Sequence, residues 1–452
     1  MKKAVQITKI QTDLIKEVVY KLCFEANTCL DDSVYSKILA LYNSTNDKIL
    51  KTILQNAKIA YEKKLPLCQD TGQVLVFVEI GQNVQLEGSF IEEAINAAVE
   101  KCYTENFFRK SVVKNAIFDR DNTKTNTPAI IYTKIIKGNE INIKVLIKGA
   151  GSENKSKLEM MLPTSSQDEI IKKCAELILN AGKNACPPMV VGIGIGGTAD
   201  KASILSKEVL VSDDFSQEEQ ELAEKIKNKV NEKENLVLDI KLKSLATHIA
   251  CMPVSITINC HSDRFSSCTI NDEEIHYHHK TPNFISFDEE IVAKEVFTND
   301  VETIKTLNIG EEILLTGEIY VARDMAHKKM LEEKELPIQI KDKIIFYAGP
   351  CPNSPDRVIG SIGPTTSGRM DKFAVELYDK GLLATIGKGD RDTEVQTAIK
   401  RNNAKYFTVV GGIAALLADK IKRKEIIAYE ELGAEALYLI EVEKLPVKVE
   451  LS

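Results

Sequence analysis

Apolar residues recur three and four apart through residues 8–64, in "TDLIKEVVYKLCFEA", "SVYSKILALYN" and "DKILKTILQNAKIAYEKKL". That spacing lines one face of an α-helix and predicts a helical start to the chain. The period then changes. Val74–Ile80 is an apolar run of strand length, "SFIEEAINAAVEKCYTE" returns to helical spacing, and residues 109–128 are polar and turn-rich. "AIIYTKII" and "INIKVLIKGAG" are dominated by β-branched residues and predict two strands ending in a loop at 149–154. "SQDEIIKKCAELILNAGK" reads as a helix, and "THIACMPVSITINCHSDR" as a strand. The stretch between Asp213 and Glu234 is so charged that it predicts a helix in a solvated insertion.

The composition shifts at "HYHHKTPNF", residues 276–284, which reads as a linker. Beyond it, strand-like and glycine-rich segments dominate, among them "EEILLTGEIYVARDMAHKKM", "DKIIFYAGPCP" and "LLATIGKGD". The expected fold class is α/β with two domains: a larger mixed α/β domain over 1–279 and a smaller α/β domain over 283–452. No internal repeat or low-complexity tract interrupts them.

Charge and composition narrow the function. No apolar run reaches the roughly 18 residues a membrane span needs, and "MKKAVQITKIQTDLIKEVVYKL" is amphipathic where a secretory signal would be apolar. A cytoplasmic location and no membrane partner are expected. The net charge of −7 argues against nucleic acid, which needs a basic face to replace counterions, and so favours a small-molecule partner. Only nine residues are arginine, and Arg109, Arg264, Arg323, Arg369 and Arg391 stand beside or within two residues of Gly, Asp, Ser or Thr in loop-like sequence. A guanidinium fork binds carboxylate in a bidentate way that an ammonium cannot.

Ten cysteines in a reducing compartment are core filler or ligands. Cys23, Cys29, Cys102 and Cys174 fall on helical patterns and read as packing residues, while Cys251 and Cys268 are ambiguous. Cys68 in "PLCQDTGQ", Cys186 in "NACPP", Cys260 in "NCHSDR" and Cys351 in "GPCPNSP" instead lie at element ends among Pro, Gly and polar residues. Their wide spacing fits neither a zinc finger nor a ferredoxin run. Three such thiolates suffice for a [4Fe–4S] cluster with one iron left open as a Lewis acid, although scattered cysteines that merely pack are the simpler reading.

Two glycine-rich stretches compete for attention. Gly192, Gly194 and Gly197 satisfy GxGxxG, which keeps an NAD-dependent oxidoreductase in view, but Pro187 and Pro188 interrupt the preceding run. A glycine-rich strand packed closely against a helix accounts for it more simply. "RDMAHKKM", "GPTTSGRMD" and "GKGD" combine glycines, hydroxyls and cations, which suits an anion-binding loop for carboxylate or phosphate. Of the six histidines, three fall in the presumed linker, leaving His248, His261 and His327.

Taken together, "PLCQDTGQ", "RKSVVKNAIFDRDNTKTNTPA", "KGAGSENKSK", "NACPPMVVGIGIGGTADKA", "THIACMPVSITINCHSDR", "GEIYVARDMAHKKM" and "GPTTSGRMD" closely resemble class I fumarate hydratases, the iron–sulfur fumarases, and their L-tartrate dehydratase relatives. The resemblance covers nearly the whole chain in co-linear order. In many relatives the two halves are separate α and β subunits; here they look fused, with the join near residue 280. The resemblance implies that Cys68, Cys186 and Cys260 ligate a [4Fe–4S] cluster. It implies substrate contacts from Gln69, Asp70, Arg109, Gly151 and His248 in the first domain, and from Arg323, Thr365, Thr366, Arg369 and Lys388 in the second.

The implied reaction is the reversible hydration of fumarate to L-malate, a step of the tricarboxylic acid cycle, in a homodimer. Arg109, Arg323, Arg369 and Lys388 are the expected carboxylate clamps. The resemblance points to Thr365 and Thr366 for the proton transfer, while Asp70 is chemically the easier base. Cys351 occupies a position where the family is expected to have no ligand, and it is read as a non-ligand. Alternatives are L-tartrate dehydration, the NAD-dependent oxidoreductase, and a non-catalytic iron–sulfur or zinc sensor.

Overall fold

The computed structural model describes residues 7–452 except 233–234, 272–273, 288–292 and 334, with the backbone alone of 183–184. The chain is mixed α/β and divides into two compact units, the larger N-terminal and the smaller C-terminal. The first takes the chain up to Leu50 and Asp70–Asn283; the second takes Lys51–Gln69 and Phe284–Ser452.

The first unit contains two main sheets. One has the strand order Ile275–Tyr277, Phe265–Ile270, Ile141–Lys148, Gln73–Gly81, Ile130–Ile136, and only its last pair is parallel. The apolar run of Gln73–Gly81 is buried along most of its length, as its lack of alternation requires. Helices Thr12–Thr28 and Ile91–Glu105 pack Ile15, Leu22, Ile95 and Val99 against Val74, Val76, Ile143 and Val145. Cys23, Cys102 and Cys268 belong to this core.

The second sheet runs Lys157–Met161, Met252–Asn259, Met189–Gly197, Val237–Thr247. The period of two along its strands separates two faces. Val191, Ile193, Val254, Ile256 and Ile258 meet helices Gln167–Ala181 and Gln217–Asn231. The second of these helices is the charged one, and it is no solvated insertion: Ala223, Ile226 and Val230 are buried in the core, three and four residues apart. Its charges simply occupy the outer face. Both helices open with a capping box, Ser166 with Glu169 and Ser216 with Glu219.

The opposite face of this sheet explains "GIGIGG". Helix Ala199–Glu208 lies so close that a Cβ on Gly192 would sit 2.0 Å from the Ser206 carbonyl oxygen, and one on Gly194 2.4 Å from that of Ala202. Ser255 and Thr257 share this face, and their hydroxyls reach Ser206 Oγ at 3.3 and 2.8 Å. Gly192 and Gly194 lie inside the strand, paired on both sides, and serve helix packing. The stretch 149–154, expected as a loop, contains a four-residue helix, Ala150–Glu153.

In the second unit, strands Glu312–Val321, Ile344–Phe346, Ala384–Gly387 and Lys405–Thr408 run parallel. The long strand Leu437–Leu451 then pairs antiparallel with both Lys405–Thr408 and Glu312–Val321, so the pairings form a closed circuit; Lys294–Phe297 and Ile421–Ala428 flank it. Helices Asp324–Glu332, Asp371–Asp379 and Thr393–Arg401 cover the sheet with Ala326, Met330, Leu377, Val395 and Ile399.

The segment Lys51–Gln69 is tied into this unit through its backbone. The Pro66 carbonyl accepts from Ser361 Oγ at 2.7 Å, the Leu67 carbonyl from Asn56 Nδ2 at 3.1 Å and from the Ala414 N–H at 3.3 Å, and Asn56 Oδ1 accepts from the Leu416 N–H at 3.0 Å.

His327, fully buried on helix Asp324–Glu332, donates from Nδ1 to the Arg323 carbonyl at 2.8 Å. Burial holds its pKa down from the ordinary 6.5 to about 4.

Two outcomes follow from these packing facts. Gly192→Ala is expected to lower unfolding stability by about 1–3 kcal/mol through overpacking alone, whereas Gly151→Ala, with nothing within 4 Å of the added Cβ, leaves it nearly unchanged; chemical denaturation measures both. Below pH 6.5 the unfolded chain protonates His327 while the folded chain does not until about pH 4, so acid selectively favours unfolding. Between pH 7.5 and 5, wild type should lose about 2 kcal/mol more stability than His327→Leu. Equal losses would show that this histidine does not set the acid sensitivity.

Candidate functional site

In the first unit, Cys186 and Cys260 are neighbours. Cys186 follows the 3₁₀ turn Gly182–Ala185 with φ +58°, and Cys260 follows strand Met252–Asn259. The N–H of His261, the residue after Cys260, donates to the Cys186 carbonyl at 3.3 Å. Cys260 Sγ lies 2.9 Å from Ser262 Oγ, and the turn beyond it is closed by Asn259 Nδ2 donating to Asp263 Oδ1 at 2.7 Å.

That turn leads into Arg264, whose Nη1 donates to the Asp70 carbonyl at 2.6 Å. The Asp70 side chain in turn accepts from the Gly72 N–H at 3.1 Å and from the Ala150 N–H at 2.8 Å, which fixes the turn carrying Gly151. Arg109 is drawn to the same place: Thr71 Oγ1 donates to its carbonyl at 2.7 Å, and buried Asn126 braces the loop by donating to the Gly72 carbonyl at 3.0 Å. Behind Gly149, Lys148 is buried with its ammonium on Ser152 Oγ, the Ile258 carbonyl and Glu153, and burial lowers its pKa to about 8. Asp70, Arg109, Gly151 and the Cys260 turn thus form one cluster.

His248 is not part of that cluster. It precedes strand Met252–Asn259 while Cys260 follows it, so eight strand residues, roughly 25 Å, separate them. It lies exposed in an open pocket of about 520 Å³ with Thr198, Lys201, Thr247 and Cys251.

The second unit holds the other set. Cys68 Sγ donates to Gln69 Oε1 at 3.4 Å, and Gln69 lies against the loop before Thr365, where a Cβ on Gly363 would stand 2.3 Å from its Oε1. Cys351, buried, donates its thiol to the Gln69 carbonyl at 3.4 Å. The Thr365 N–H donates to the Tyr347 carbonyl at 2.7 Å, the Lys388 N–H to the Thr365 carbonyl at 3.3 Å, and the Ser367 N–H to the Lys388 carbonyl at 2.8 Å. Arg369 is half-exposed, with its fork on Asp324 at 3.1 and 2.7 Å. Arg323 is buried, 3.3 Å from Glu435 and 4.0 Å from Asp324. Gln69, Thr365, Thr366, Arg323, Arg369 and Lys388 are therefore held by one connected set of loops.

The partners of these residues had escaped sequence reading. Asp324 and Glu435 hold the two guanidinium groups, and only the adjacency of Asp324 to Arg323 hinted at either. Two of the five loop arginines are not available as clamps. Arg264 supports Asp70, and Arg391, with no exposed side-chain surface, donates to Asp371 at 2.6 Å and Thr385 at 3.0 Å between the rings of Tyr347 and Tyr406.

The thiols sort by environment. All ten are free. Cys23, Cys29, Cys102, Cys174 and Cys268 are buried, and burial pushes their thiols up, to about 12 for Cys29, Cys174 and Cys268. Cys68, Cys186, Cys251 and Cys260 are only partly buried, outside regular helices and strands. Among the described residues no three His, Cys, Asp or Glu side chains gather as a single-ion site. An iron–sulfur cluster takes one thiolate per iron, and Cys186 and Cys260, neighbours in the first unit, are donors of the kind it needs.

Residues 16–269 match the family model described as fumarate hydratase (fumerase), and residues 269–452 match fumarase C-terminus. The chain is 30% identical to the anaerobic class I fumarate hydratase of Escherichia coli K12 across 97% of its length and 88% of the relative's. It is 32% identical to the aerobic class I enzyme of the same organism, over 89% and 81%. A putative L(+)-tartrate dehydratase subunit alpha of Methanocaldococcus jannaschii matches at 38% over 55% of this chain and 95% of the relative.

Proposed function

The chain belongs to the fumarate hydratase family and is a hydro-lyase, and on that premise we propose that it interconverts fumarate and L-malate with a [4Fe–4S] cluster held by Cys68, Cys186 and Cys260. The observation that carries this reading is the pairing of Cys186 and Cys260 on adjoining, partly open turns, with Cys68 partly open as well; Cys251, also partly open, lies beside His248 at the far end of strand Met252–Asn259, and Cys23, Cys29, Cys102, Cys174, Cys268 and Cys351 are buried. When bound, the cluster supplies Lewis acidity for the oxygen that is added or expelled.

The chain's own residues do the rest. Arg109, Arg323, Arg369 and Lys388 bind the two carboxylates and stabilise negative charge as it develops beside the carbanionic carbon. Asp324 and Glu435 keep the Arg369 and Arg323 forks oriented before the dianion arrives. Gln69 and the Gly151 turn add polar contacts. Thr365 and Thr366 move the proton at C3. Asp70 is the less suitable base because each carboxylate oxygen already accepts a backbone N–H, and it serves to orient the Gly151 turn.

His248 stands a strand's length from Cys260, so for it to contact the same substrate a second copy of the chain must supply it; this supports a homodimer. Ten free thiols and no described helix long and apolar enough to cross a membrane are in keeping with a cytoplasmic location. L-Tartrate is the second candidate substrate, favoured by the 38% identity to the archaeal relative.

Protein purified without oxygen is expected to carry iron and sulfide and to consume fumarate's ultraviolet absorbance, with L-malate turned over faster than L-tartrate. Cys68→Ala, Cys186→Ala and Cys260→Ala should each lose both cluster and turnover, while Cys351→Ala keeps both within about twofold, as a packed thiol allows. Loss of cluster in the Cys351 variant would make it a ligand. Solvent deuterium exchange at malate C3 separates the bases: it should disappear in Thr365→Ala or Thr366→Ala and survive in Asp70→Asn, and the reverse pattern assigns the base to Asp70.

A further inference from the structure

Thr365 and Thr366 sit on the loop 363–366, which runs into the 3₁₀ turn Ser367–Met370, and Lys388 sits on the loop 388–390 that follows a sheet strand. Strand Ala384–Gly387 ends just before Lys388, and past it the two backbones meet at the isolated bridge of Thr366 with Lys388, made by the Lys388 N–H on the Thr365 carbonyl and the Ser367 N–H on the Lys388 carbonyl. So few backbone bonds leave the loops room to slide past one another unless something else sets their register.

Beneath them lies a chain of buried hydroxyls. Ser367 Oγ is 2.8 Å from Tyr406 Oη, which is 2.7 Å from the Gly389 carbonyl. Tyr406 Oη is thus the donor shared between the serine oxygen and the Gly389 carbonyl. Ser367 and Tyr406 are both fully buried. Gly387 makes room for the serine, because a Cβ there would come within 2.0 Å of its Oγ. Tyr406 itself is anchored: it belongs to strand Lys405–Thr408, pairs in register with Thr385, and stacks on Arg391, whose guanidinium is fixed by Asp371 and Thr385.

We propose that Tyr406 and Ser367 are positioning residues that lock the threonine loop to the lysine loop, so that the proton-transfer groups and the carboxylate clamp keep one spacing. This rests on the hydratase reading and deepens it. Without the tyrosine hydroxyl, a buried serine oxygen and a part-buried carbonyl lose their donor, and the loops shift to satisfy them. Displacement by an ångström damages proton transfer far more than it weakens a flexible ammonium's hold on a carboxylate.

The test uses the anaerobically prepared holoprotein with L-malate and fumarate. Tyr406→Phe keeps the ring and its packing; kcat is expected to fall by about ten- to hundredfold, with KM moving less than about threefold and iron per chain unchanged. Ser367→Ala, which breaks the same chain from its other end, should give the same split and serves if the tyrosine variant folds poorly. Tyr378→Phe removes another buried hydroxyl of this core, one that reaches Thr385 Oγ1 at 2.6 Å and the Lys405 carbonyl at 3.2 Å but neither loop. Its kcat should stay near wild type. A Tyr406→Phe enzyme with wild-type kcat, or a Tyr378→Phe enzyme equally impaired, overturns the lock while leaving the hydratase reading intact. A wild-type holoprotein that turns over neither substrate overturns both.

Discussion

The peptide bond between Gln69 and Asp70 is the constraint on which the rest depends, because the residues on its two sides are committed to different units. Pro66, Leu67 and Gln69 give their carbonyls to Ser361, to Asn56 and Ala414, and to Cys351, all within the second unit. Asp70, Thr71 and Gly72 instead bond to Arg264, Ala150, Arg109 and Asn126 within the first. Buried backbone groups must find partners, so neither side can trade its bonds for the other's without leaving donors or acceptors orphaned. One octapeptide therefore carries residues proposed for cluster, substrate and positioning roles without freedom to reassign them.

Around that constraint, each unit fixes its reactive loops with buried polar groups rather than with more apolar packing. Arg264 in the first unit and Arg391 in the second are both structural cations, one on a carbonyl and the other on a carboxylate. Burying such charge is costly unless every polar atom nearby is satisfied, and it brings orientation more than stability. That is the property a proton-transfer site needs. Apolar packing tolerates rearrangement at similar volume, whereas a fork held by Asp371 and Thr385 has one geometry.

The sequence made much of the fold legible because helical periodicity and strand-like runs are local. Gln73–Gly81, Ile91–Glu105 and Gln167–Ala181 fall where the pattern puts them, and the glycines of "GIGIGG" read correctly as a packing surface. Charge density misled at Gln217–Asn231, where eleven polar residues hide three buried ones whose spacing, not composition, marks the core face. The sequence domain boundary near 280 also contains no sign that Lys51–Gln69 packs with the second unit. Its helix is amphipathic like its neighbours, and which apolar surface it covers is decided by residues such as Asn56 and Leu416, 360 positions apart.

The site was legible to a different degree. Motif positions identify which side chains carry chemistry, but the residues that aim them follow from tertiary neighbours. Arg264, Arg323, Arg369 and Arg391 have similar flanking sequence, yet two are structural and two are proposed as clamps. What separates them is where a carboxylate or carbonyl comes from: Asp371 lies 20 residues before Arg391, while Glu435 lies beyond Arg323 by more than a hundred. Exposure then follows from pairing. A guanidinium closed off by its partner and two aromatic rings, as Arg391 is, has no donor edge to offer, whereas Arg369 shares one face of its fork with Asp324 and keeps half its surface open to a second carboxylate.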